Sequence, residues 1–110
     1  MKALSAYRIM WVMTIFDLPV LTAEQRKKAN AFRKYLLDLG FNMMQLSVYI
    51  QHAAGKEAAE SLASKVGERV PRAGKVDVLF FTDKQYESIK VFRGVADVLP
   101  PKKPNQLELF

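Results

Sequence analysis

The run Met10-Trp-Val-Met-Thr-Ile-Phe16 constrains this chain more than any other stretch. Seven uncharged residues, rich in β-branched and aromatic types, lead straight into Asp17, and Leu18-Pro19 then stops the run. The composition suits a strand. Trp11, Met13 and Ile15 would share one face, with Met10, Val12 and Phe16 on the other and Thr14 among them. Both faces are apolar, so the strand is expected to be central and covered on both sides. A small domain covers one face with its own helices, and a partner subunit is the economical cover for the second. Such a strand also holds the charge at its end in a fixed place, which makes Asp17 a candidate functional carboxylate.

The length of 110 residues fits one domain, and a hydrophobic fraction of 50% is enough for a core. There are no cysteines, which excludes a disulfide framework and thiolate zinc sites and favours a reducing compartment. Seventeen Lys and Arg against eleven Asp and Glu leave a net charge of +6, a surplus that favours polyanionic partners such as nucleic acid. Lys2 and Arg8 precede the apolar run, but the run is short and no small-residue cleavage site follows it, so a signal peptide is not expected. No stretch approaches the roughly 18–20 apolar residues of a membrane span. The expected location is cytoplasmic, with no membrane partner.

After the turn at 18–21, Thr22 reads as an N-cap with Gln25 completing a capping box. The helix is expected to run to about Leu39, with Ala29, Phe32, Leu36 and Leu39 as its core stripe and Gly40 as its stop. It carries Arg26, Lys27, Lys28, Arg33 and Lys34, the densest positive surface in the chain. Residues 41–51 alternate, with Met44, Leu46, Val48 and Ile50 on one face and Gln45, Ser47, Tyr49 and Gln51 on the other, and read as a second strand. A second helix is expected from Lys56 to about Val70, ended by Pro71, and a third strand from Lys75 to Thr82. Residues 83–85 read as a short hairpin connection and 86 or 88 to 92 as a fourth strand. In that reading the elements come as strand, helix, strand, helix, strand, strand. Two arrangements fit: the 41–52 segment holds a bent strand or a hairpin, or a β-α-β unit ends in a hairpin. The favoured fold is α+β, a four-stranded antiparallel sheet with two helices on one face.

The strand ending in Phe16-Asp-Leu-Pro19, the basic helix Gln25-Arg-Lys-Lys-Ala-Asn-Ala-Phe-Arg-Lys-Tyr-Leu36, Gly40-Phe41, the segment Gln45-Leu-Ser-Val-Tyr49 and the late strand Asp77-Val-Leu-Phe-Phe81 together resemble the Cas2 family of small CRISPR-associated endonucleases. The resemblance covers residues 8 to about 94. Each motif is weak alone, and their order and spacing give the specificity. The resemblance implies a ferredoxin-like domain over 1–94 and a symmetric homodimer packed through sheet faces. It also implies a role as a nucleic-acid-binding scaffold in the spacer integration complex, beside the CRISPR integrase subunit. It is strongest to members from type II loci, which adds the type II effector nuclease as a partner. It places Asp17 near the two-fold axis together with its symmetry mate.

One aspartate cannot build a hydrolytic metal centre, but Mg²⁺ commonly uses one or two carboxylates and keeps several waters. Two copies of Asp17 would supply that number for Mg²⁺ or Mn²⁺, giving a metal-dependent endonuclease with Asp17 as catalytic and metal-binding residue and Ser47 as an accessory. Asp before a proline-containing turn also has a plain structural reading. Arg26, Lys27, Arg33 and Lys34, with Lys90 and Arg93 extending them, would track a DNA or RNA backbone without reading bases. His52 is the only histidine and is expected to have a surface or capping role. Two other functions compete. One is an RNA-binding module of the RRM type without catalysis, against which the third strand lacks the characteristic glycines. The other is a purely structural dimeric adaptor. Residues 95–110 are expected to form a linker followed by a C-terminal strand or docking peptide. Gln106-Leu-Glu-Leu-Phe110 reads as a strand added to a sheet edge, or as a sliding-clamp-binding peptide.

Overall fold

A computed structural model describes residues 9–95. Strand β1 spans Met10–Asp17, helix α1 Ala23–Asp38, strands β2 Asn42–Gln45 and β3 Val48–Ala53, helix α2 Lys56–Gly67, strand β4 Lys75–Thr82 and helix α3 Asp83–Glu87. The sheet order is β2-β3-β1-β4, with every neighbouring pair antiparallel. This is the β-α-β-β-α-β ferredoxin-like arrangement, and it makes β1 an interior strand, as its two apolar faces require.

The alternation along β1 separates two surfaces. Val12 and Phe16 join Phe32 and Leu36 of α1, Ala59 and Val66 of α2, and Phe41, Tyr49 and Ala53 in one buried cluster. Phe16 meets Phe32 edge-on at 5.4 Å and lies 5.6 Å from Tyr49. Both helices therefore cover the same sheet face. Thr14 lies on that face opposite Tyr49, fully buried, and its hydroxyl has no hydrogen-bond partner among the described residues. Trp11, Met13, Ile15 and Asp17 alternate onto the other face, beside Val48, Ile50 and His52 of β3 and Lys75, Asp77, Leu79 and Phe81 of β4.

Helix α1 begins as its capping box dictates: the Gln25 amide donates to Thr22 Oγ1 at 3.0 Å, and Gln25 Oε1 accepts from the Leu21 and Thr22 amides. Gly40 at φ 103° ends the connection to β2, a left-handed backbone that glycine adopts without penalty.

Three expectations are corrected. The segment 41–51 is not one strand. Leu46 and Ser47 form a two-residue connection, Ser47 takes φ 62°, and β2 folds back on β3 with an irregularity between Met43 and Gln45. The pleat is reset at the turn, so Tyr49 faces the helices, and Met44 and Leu46 are exposed instead of sharing a face with Ile50. Residues 86–92 form no strand. Thr82 and Gln85 make a second capping box that starts α3 at Asp83 in place of a hairpin connection. Tyr86 stacks on Trp11 at 3.9 Å, and Trp11 Nε1–H donates to Asp83 at 2.8 Å, so α3 is pinned across one end of the helix-free face. Helix α2 stops at Gly67, earlier than the proline at 71 suggests. The hairpin at 46–47 is what supplies the fourth strand of the sheet. The tail read as a strand or docking peptide, Gln106–Phe110, lies outside the described residues, as do residues 1–8.

Candidate metal and nucleic-acid site

Asp17 is the last residue of β1 and is exposed. It lies on the helix-free face, at the end where the 18–22 segment, the 46–47 turn and the start of β4 meet. Two contacts hold that end. The Phe16 amide donates to the Ser47 carbonyl at 3.1 Å, which fixes the hairpin turn beside Asp17. Gly74 packs against Leu18 so closely that a Cβ there would sit 2.5 Å from Leu18 Cδ2. The structure thus brings Ser47 to the Asp17 end, with its backbone carbonyl as the group engaged.

No hydrogen bond or ion pair engages the Asp17 carboxylate among the described residues. Its direct neighbour across the ladder is Lys75, and Asp77 lies two rungs further along, opposite Ile15. Lys75 Nζ is 3.3 Å from Asp77 Oδ2. No group of three or more His, Cys, Asp or Glu side chains capable of holding a metal occurs among the described residues. A donor set of one free carboxylate from one chain suits Mg²⁺, which takes few protein oxygens and keeps water, and does not suit a fully liganded zinc centre.

The cations of α1 divide by direction. Arg26 Nη1 donates to the carbonyls of Val20 and Leu21 at 3.1 Å each, tying the loop after Asp17 to the first turn of the helix. Arg33 Nη1 donates to Asn30 Oδ1, and its charge acts on Tyr49. Lys27 and Lys34 lie seven residues apart on the outward side and are exposed. Lys90 and Arg93 are exposed beyond α3, which follows the end of β4 where Thr82 pairs with Met10, so the structure does not bring them together with Asp17. His52 sits opposite Trp11 and meets its ring edge-on at 5.4 Å, at the end of β1 away from Asp17, so it serves aromatic packing.

Sequence reasoning missed two cations, Lys75 and Arg69. Lys75 is one, because only the β1–β4 register places it beside Asp17. Arg69 is the other: with Lys28, already placed on the basic helix, it lines a cleft of about 220 Å³ between α1 and the end of α2, with Ala31, Phe32, Tyr35 and Pro71. Arg69 lies over the Tyr35 ring at 4.6 Å, and the Tyr35 hydroxyl donates to the Lys65 carbonyl. The positive surface therefore reaches from α1 across to α2.

A family model described as "CRISPR associated protein Cas2" matches residues 10–89. A protein of Paracidovorax avenae named CRISPR-associated endoribonuclease Cas2 is 43% identical over 107 residues, covering 97% of this chain and 99% of its own. A protein of the same name from Parvibaculum lavamentivorans is 46% identical over 101 residues, covering 92% of this chain and all (100%) of its own. A solved structure titled "Crystal structure of cas2" superposes with a TM-score of 0.54 at 21% identity, over 86% of this chain and 99% of that one, and supports the fold. Among the described residues, no helix is long and apolar enough to cross a membrane.

Proposed function

The chain belongs to the CRISPR-associated Cas2 family, and from that premise we propose that it is a dimeric nucleic-acid-binding protein of CRISPR spacer acquisition that cleaves phosphodiester bonds with a divalent cation held at Asp17. The observation that carries this reading is the placement of Asp17: an exposed carboxylate without a partner among the described residues, fixed at the end of an interior strand on the sheet face opposite α1 and α2. The accessible apolar side chains of that face, Ile15, Val48, Leu79 and Phe81, suit a second copy of the chain, which would bring a second Asp17 to the same end. Two carboxylates and solvent would satisfy Mg²⁺ or Mn²⁺. A bound divalent cation would supply stabilisation of the charge that builds on the phosphoryl oxygens.

The residues of this chain have the following parts in that reading. Asp17 would hold the cation. The Ser47 carbonyl, by binding the Phe16 amide, fixes the direction in which Asp17 leaves the sheet. Lys27 and Lys34, with Lys28 and Arg69 beside them, bind the phosphate backbone and carry no sequence information. Arg26 organises the loop behind Asp17 through the Val20 and Leu21 carbonyls. The integrase subunit of the same pathway would be the protein partner.

Cleavage of single- and double-stranded RNA and DNA, with and without Mg²⁺ or Mn²⁺, tests the reading on the wild type and Asp17→Ala. The expected result is metal-dependent cleavage that falls about a hundredfold in the variant, with thermal stability within about 0.5 kcal/mol, as for an exposed surface position. A single free carboxylate from each chain at this end, among the described residues, also favours a second reading, a dimeric scaffold that binds duplex DNA without cutting it. A wild type that binds nucleic acid but cuts none of these substrates with either metal selects the scaffold.

A further inference from the structure

We propose that Lys75 is the phosphate-binding cation of the Asp17 site, and that Asp77 serves to hold Lys75 rather than to bind metal. The inference deepens the reading of Asp17 given above and rests on it for the identity of the substrate. The geometry is that of three charged groups on one face. Asp17 and Lys75 are direct partners across the β1–β4 ladder, and Ile15 and Asp77 are the next pair of the same face. Directly opposed residues hold their Cβ atoms about 4.5–5.5 Å apart, and diagonal ones about 7–8 Å. Asp17 and Asp77 are such a diagonal pair, and without a neighbour they would read as two carboxylates shared by one divalent cation.

Lys75, the ladder partner of Asp17, turns its ammonium toward Asp77. It lies 3.3 Å from Asp77 Oδ2, so Asp77 is neutralised by a cation the chain already owns. What remains at this end of the face, among the described residues, is one free carboxylate whose ladder partner is a lysine. That combination suits a phosphodiester better than a bare metal ion. Asp17 would hold a divalent cation that supplies charge stabilisation at the phosphate, and the Lys75 ammonium would bind a non-bridging oxygen. The side chains of Lys75 and Asp77 are 76% and 53% exposed, so their pair adds little to stability. Lys75 can therefore exchange Asp77 for a substrate phosphate at small cost, while the carboxylate keeps the ammonium from wandering along its flexible stem.

The test separates this role from the activity itself. Binding of a fluorescein-labelled 20-nucleotide RNA and of a duplex DNA of the same length is measured by anisotropy in EDTA over a series of KCl concentrations. The proteins are the wild type, Lys75→Met, Lys75→Arg and Asp77→Asn. Each lost phosphate contact lowers the slope of log K against log[salt] by about 0.7 for the single strand and about 0.9 for the duplex, and by twice that where both protomers of a dimer lose one. Lys75→Met is expected to show that drop on at least one of the two ligands, and to bind that ligand about fivefold more weakly at the lowest salt. Lys75→Arg and Asp77→Asn are expected to keep the wild-type slope. A folded Lys75→Met, shown by an unchanged melting curve, with the wild-type slope on both ligands overturns the proposal. So does cleavage by Asp77→Asn that needs more than tenfold higher Mg²⁺ than the wild type, because Asp77 would then be a metal ligand. If the wild type cuts nothing, the Asp17 reading fails, yet the slopes in EDTA still decide whether Lys75 binds phosphate.

Discussion

Burial raises the pKa of the Tyr49 hydroxyl above its ordinary value of 10.0, and the Arg33 guanidinium draws it partly back. Tyr49 sits in the core between Phe16 and the first helix, which explains the direction: a phenolate there would lose its hydration. Above about pH 10 the unfolded chain releases this proton while the folded chain keeps it, so stability falls as pH rises through that range. Below pH 10 the residue contributes no slope. Melting temperatures between pH 8 and 11 check this: Tyr49→Phe is expected to lose less stability than the wild type above pH 10, and parallel curves would refute it. The same scale separates what could be read in the chain from what could not. Asp17 was legible because it ends an apolar run that has no other charge. Lys75 was not, because its importance lies in being opposite Asp17, and a register between strands 58 residues apart leaves no local trace. Arg26 and Arg33 looked equivalent to Lys27 and Lys34 as charges. Folding gave the two arginines partners within the chain, and only the contacts distinguish them.

The elements were legible where local chemistry and tertiary packing agreed. Helix α1 has a capping box, a core stripe and a glycine stop, and each is used in the structure. The β2–β3 hairpin was the difficult element. Its connection, Leu46-Ser47, lacks the Asn-Gly or Asp-Gly pair that marks a tight turn, and the alternation around it imitates a single strand. Ser47 adopts φ 62° because the Phe16 amide binds its carbonyl and fastens the turn to β1. A left-handed backbone costs an ordinary residue about 1–2 kcal/mol, and glycine avoids that cost but loses more entropy on folding. Ser47→Gly is therefore expected to be neutral or up to about 1 kcal/mol more stable. Because the carbonyl remains, the variant is also expected to keep wild-type cleavage. Urea denaturation and the cleavage assay check both halves, and a cleavage loss above tenfold would show that the hydroxyl acts on substrate. At the other end of the sheet, 86–92 has the composition of a strand, but the Thr82–Gln85 capping box and the Trp11–Asp83 hydrogen bond start a helix first.

Among the described residues, one sheet face is sealed by two helices, and the Trp11 end of the other carries α3. The rest of that second face is apolar around Leu79, which pairs with Met13 across the ladder and is 36% exposed. A domain of this size gains little from such a surface in water, and a second copy of the same face would bury it. If that packing also assembles the site, dimerisation and cleavage must fail together. Leu79→Glu places a carboxylate where the partner's apolar residues would lie, and an unpaired charge in a dry interface costs several kcal/mol. Sedimentation is expected to show the wild type as a dimer and Leu79→Glu as a monomer. Leu37→Glu, on the exposed side of α1, is expected to stay dimeric and serves as the control. Far-UV circular dichroism and a melting curve establish that the monomer is folded, since the core cluster does not include Leu79. Cleavage by Leu79→Glu is then expected to fall as far as in Asp17→Ala, although Asp17 is untouched. A folded monomer that cuts at the wild-type rate would mean that each chain carries a complete site, and would remove the reason for pairing two Asp17 carboxylates.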